Sequence, residues 1–92
     1  ELRGEYVSAL DRDFKDKISV LEANLEGAKA QKILSQRDFE RARTLFDQQV
    51  SASADFDRAR GAFDAAAAGV RGLEAQLKIA RHRLQILIMV FG

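Results

Sequence analysis

Proline, cysteine and tryptophan are all missing from the 92 residues. Without proline, no position removes a backbone donor or forces a ring against the preceding helical turn, so long uninterrupted helices are allowed. Without cysteine there are no disulfides and no thiolate metal sites. The one histidine, His82, has no His or Cys companion with which to hold a metal or share a proton. An excess of one charge is also lacking: fifteen basic side chains stand against fourteen acidic ones, a formal charge of +1. That balance gives no electrostatic reason to expect a nucleic acid or an anionic membrane as partner. The longest apolar run, ILIMVF at 86–91, falls well short of the roughly 20 residues that span a bilayer, and no stretch reads as a signal peptide. No glycine-rich phosphate loop, P-loop or nucleophile elbow is found. The expectation is a non-enzymatic chain with no cofactor and no metal.

The residues present are those that cost least in a helix, with Ala, Leu, Arg, Glu, Gln and Lys dominant. From Phe14 the apolar positions advance by four and three through Ile18, Leu21, Leu25 and Ala28. They pass a polar pair, Lys32 and Ser35, and resume at Phe39, Ala42 and Phe46. A second series, Phe56, Ala59, Phe63, Ala66, Val70, Leu73, Leu77, Ala80, Leu84 and Leu87, keeps the same spacing with no polar member. A sustained period near 3.5 is the seam of a coiled coil, because it holds the apolar stripe toward one partner.

The two series do not join. Continuing the first beyond Phe46 reaches Gln49 and Ser53, out of step with the second, and the break lies in QQVSAS. Reflection about residue 51 sets Phe46 opposite Phe56, Ala42 opposite Ala59 and Phe39 opposite Phe63. Farther from the break it sets Leu25 against Leu77, Ile18 against Leu84 and Phe14 against Leu87. Large residues meet large ones and small meet small, which predicts an all-α antiparallel two-helix coiled-coil hairpin turning near 48–53. Asp55 and Asp57, just after the turn, suit the positive end of the second helix dipole. A weaker outer stripe on the first helix, Val20, Ala23, Gly27, Ala30 and Leu34, would allow hairpins to pack side by side. At the ends, EYVSAL and ILIMVF have the β-branched and aromatic content of short strands. Their apolar faces and open edges would favour self-association.

The opening GEYVSALDRDF resembles the end of the first lipoyl-like half of periplasmic adaptors, the membrane fusion proteins of tripartite efflux and secretion systems. Gly4, Leu10, Asp11, Asp13 and Phe14 carry that resemblance, and the arms LEANLEGAKAQ and FDAAAAGVRGLEAQLKIARHRL are similar to the family's hairpin. The first residue is Glu rather than Met, and the chain reads as a piece of a larger protein. The resemblance implies an organisation of 1–11 as the end of the first lipoyl-like half, 12–85 as the helical hairpin, and 86–92 as an exit strand or the start of the second half. In the family an Arg, a Leu four residues on and a Ser seven further contact an outer-membrane channel. Arg41 and Leu45 match the first two, and the Ser position falls on Ala52, between Ser51 and Ser53. A one-residue slip in the turn presents either hydroxyl, so the implied partner-binding residues are Arg41, Leu45, Ser51 and Ser53. The exit LQILIMVFG keeps Phe91 and Gly92 of the family's pattern but lacks its Pro.

What the resemblance implies is a periplasmic adaptor bridging a TolC-type outer-membrane channel and an inner-membrane transporter, with several copies assembled side by side. A generic coiled-coil hairpin that docks another helical protein is the alternative. A tRNA-holding helical arm is a third reading. Between Arg37 and Arg60, however, five arginines face five acidic residues, whereas phosphate binding needs a stripe of one sign.

Overall fold

The computed structural model describes residues 2–92. It consists of two helices, α1 from Leu2 to Asp47 and α2 from Ser53 to Phe91, and among the described residues there is no strand. The architecture is the all-α antiparallel hairpin that the two matched series predict. By contacts the chain divides into two bodies, each built from a piece of both helices.

Among the described residues the first body comprises residues 2–25 and Leu73–Gly92. Its core is Ile18, Leu21, Leu77 and Ala80, with Leu25, Leu73 and Leu84 packed against them. All seven lie at positions of the four-three series. Leu77 is the most enclosed apolar residue in the core, at 2% exposure. Leu87 is also buried. Burial of such side chains stabilises by roughly 1.5–3 kcal/mol each relative to exposure, which is the main force pairing the helices here. One ion pair links the two helices beside this core, from Arg81 to Glu22 at 4.0 Å. Both members are more than half exposed, so it contributes little.

The second body is Glu26–Gly72. Val70 and Ser35 are buried at its seam, and Lys32 is half-buried. Nearer the turn four phenylalanines stack. Phe46 lies on Phe56 with centroids 5.1 Å apart, and Phe39 lies on Phe63 at 5.7 Å. Both contacts are those the reflection sets opposite one another. Phe39 also touches Phe56 at 5.6 Å, a diagonal contact the reflection does not give. It arises because each knob of a coiled coil enters a hole formed by several residues rather than meeting a single opposite number. Stacked aromatic pairs add about 0.5–1.5 kcal/mol beyond their area.

The strand-like ends are corrected. Residues of EYVSAL lie within α1, and ILIMVF closes α2. The reason is visible in the burial pattern, in which Val7, Leu10, Asp11 and Phe14 are half-buried and so carry the α1 seam back toward the N-terminus. β-Propensity scores a residue's fit to a pleated, half-buried surface and depends on having neighbouring strands. Two short segments on their own make a marginal sheet, whereas a helix satisfies its own backbone groups along its length. Asp11, although at a seam position, is held by Lys15 one turn on at 2.9 Å. Arg3 sits over the Phe91 ring, 5.6 Å from its centroid.

Candidate functional site at the helical turn

The turn lies wholly within the second body, and its geometry follows from how α1 ends. The amide of Val50 donates to the carbonyl of Leu45 at 2.9 Å, and that of Gln49 donates to Phe46 at 2.9 Å. Gln49 has φ of 59°. A six-to-one bond, a five-to-two bond and a left-handed residue between them make a Schellman motif. In that motif the residues three before the cap and two after it commonly touch; here they are Leu45 and Val50. Both are exposed, Leu45 at 40% and Val50 at 67%. Together with Phe46 they give the turn an apolar surface.

α2 starts at Ser53, and the carbonyl of Ala52 accepts from the amides of Asp55 at 3.1 Å and Phe56 at 3.5 Å. Ala52 therefore stands where a capping side chain would stand, but it has no oxygen to offer the free amides. Asp55 in the first turn supplies negative charge at the positive end of the dipole, and its carboxylate is 3.4 Å from Arg58.

The four residues singled out from sequence are placed as follows. Arg41 is on α1, pairs with Asp38 at 3.7 Å and keeps most of its side chain in solvent. Leu45 is one turn further on and anchors the Schellman bond through its carbonyl. Ser53 begins α2 and is exposed. Ser51 is half-buried, its Oγ enclosed and without a hydrogen-bond partner among the described residues. Of the two hydroxyls flanking Ala52, that of Ser53 is the accessible one. Sequence reasoning missed Val50, because a lone valine in a polar knot carries no periodicity. Its signal is that it follows the left-handed residue at a helix end.

Among the described residues no group of His, Asp and Glu is placed to hold a metal ion. What the turn offers is a fixed, partly apolar surface flanked by a weakly paired cation, which suits binding another protein.

A family model for the CzcB-like alpha-helical hairpin domain matches residues 20–85. The chain belongs to that family. This CzcB-like hairpin is the hairpin region of membrane fusion proteins, periplasmic adaptors that work with channel and transporter partners. Hairpin domains of the family are in general non-catalytic. No curated protein and no solved structure matches the chain. No helix among the described residues is long and apolar enough to cross a membrane. The matched span contains the whole turn and all of the first body's core residues except Ile18.

Proposed function

We propose that this CzcB-like hairpin serves a tripartite efflux or secretion system by docking its turn on a TolC-type outer-membrane channel. The protein that carries the hairpin thereby links the channel to an inner-membrane transporter, in the periplasm. One observation carries the reading: the Schellman turn holds Leu45 and Val50 exposed on a backbone fixed by two hydrogen bonds of 2.9 Å. An apolar surface presented on a preorganised turn binds without a large ordering cost. Arg41 adds a donor for a carbonyl or carboxylate of the channel, since its bond to Asp38 is long and solvent-exposed and is readily exchanged. Ser53 supplies the hydroxyl on the α2 side of the turn, where it is accessible, whereas that of Ser51 is enclosed.

The test is binding of the protein to a TolC-type channel, comparing the natural sequence with Arg41→Asp and Leu45→Ser. Each substitution is expected to weaken binding by about tenfold or more, the loss typical of a contact worth 1–2 kcal/mol. Far-ultraviolet circular dichroism should show unchanged helicity. Full binding by both variants would remove the turn from the interface.

A further inference from the structure

Within the second body the seam is thinnest where α1 runs through residues 26–36 and α2 through residues 65–72. The reflection that pairs Phe39 with Phe63 sets Ser35 against Ala66 and Lys32 against Val70. Of these four seam residues only Val70 is a large apolar side chain. Ser35 is buried and puts a hydroxyl where the rest of the α1 seam series has Phe, Ile, Leu or Ala. Lys32 is half-buried, and among the described residues no carboxylate lies within 4.0 Å of its ammonium. Pairing strength follows the apolar area removed from water. These two consecutive layers therefore hold the helices together less firmly than the phenylalanine layers nearer the turn. The backbone is weak at the same level. Gly69 and Gly72 stand in the interior of α2, and each lowers the local helix equilibrium by about fivefold relative to Ala. Gly27 has the same effect in α1. A Cβ at any of the three would meet nothing within 4 Å, so packing within the chain does not require glycine there.

We propose that this stretch is a built-in point of local opening, at which residues 26–36 and 65–72 lose their pairing and their helical hydrogen bonds together while the turn and its phenylalanine layers stay closed. Two weaknesses of different origin coincide here, a seam poor in apolar burial and a backbone poor in helix propensity. Segments with few buried apolar contacts open below the free energy of global unfolding, and they open as cooperative units. The unit here contains both helices, because α1 loses its cover at Lys32 and Ser35 once Val70 and Ala66 move away. The hairpin gains one compliant segment, and the Schellman bonds and stacked rings, which lie outside it, keep their geometry. This inference is independent of docking at the turn, since it uses no residue of the turn.

Amide hydrogen exchange, resolved residue by residue on the natural protein, tests this. Amides of residues 28–36 and 66–72 are expected to exchange about tenfold or more faster than those of 18–24, 38–43, 59–63 and 76–84. The two fast segments should share one opening constant. Gly69→Ala/Gly72→Ala alters α2 alone, yet it should slow exchange in both segments by about tenfold or more, two factors of about five. Lys32→Leu alters α1 alone and should also slow both, by adding apolar burial opposite Val70. Gly61→Ala is the control: its Cβ also meets open space, but it lies outside the stretch and should leave exchange there within about twofold. Circular dichroism checks that each variant keeps its helicity. Even exchange along both helices overturns the proposal. So does fast exchange in one helix only, or slowing confined to the helix that carries the substitution.

Discussion

Gln49 occupies a conformation that glycine usually fills. At φ of 59° its Cβ crowds the following carbonyl, a cost a glycine would not bear. Gln49→Gly is expected to stabilise the protein by about 0.5–1 kcal/mol, the relief of strain exceeding the extra freedom glycine gives the unfolded chain. Urea unfolding followed by circular dichroism would measure it, and a loss of stability would show that the Gln side chain makes a compensating contact. The neighbouring residues show the same local logic. Val50 and Leu45 are exposed at the turn, and the Ser51 hydroxyl is enclosed. Ala52 leaves the start of α2 without a side-chain cap. Under the proposed docking, substitution of Arg41 or Leu45 should weaken channel binding while sparing the fold.

Each helix owes its stability to the seam rather than to its length. Four-three spacing places Leu77 against Ile18, Leu21 and Ala80 in a core with few members. Leu77→Ala removes the most buried of them, and the cost is expected to be about 2–4 kcal/mol by loss of transfer energy and an incompletely filled cavity. Leu34→Ala, on the outer stripe at 54% exposure, should cost less than about 0.5 kcal/mol. Denaturant titration of the pair separates the seam, probed from α2, from the outer stripe of α1, and similar losses would mean that the outer stripe is covered in solution. The aromatic part of the seam shows how element packing refines a paired pattern. Phe39 reaches both Phe56 and Phe63 because the side chains interdigitate, so its removal disturbs two layers.

For the molecule as a whole, the nearly equal numbers of basic and acidic side chains mean that no net field opposes folding. Among the described residues the ion pairs Arg41–Asp38, Arg58–Asp55 and Arg81–Glu22 are largely in solvent, and Lys15–Asp11 has an exposed lysine on a half-buried carboxylate. Together they contribute about 1 kcal/mol. Salt that shortens the Debye length from about 30 Å to about 3 Å should therefore move the thermal midpoint by no more than about 5 °C. A much larger fall, followed by circular dichroism, would assign these pairs a structural share they are not expected to have. The seam, the antiparallel pairing and the place of the turn were legible in the sequence, because a heptad repeat encodes its own partner and a break in phase marks where the chain reverses. Arg41 and Leu45 were singled out through family resemblance alone, since an exposed Arg and a residue beside the seam carry no signal of their own. The helical ends were not legible: EYVSAL and ILIMVF suit either state locally, and the choice lay with Val7, Leu10, Asp11 and Leu87 continuing a seam that exists only once the helices pair. The accessible hydroxyl at Ser53, the enclosed one at Ser51 and the exposed Val50 were likewise decided by tertiary structure. The left-handed step at Gln49 sets their directions, and no periodicity reports a single backbone dihedral.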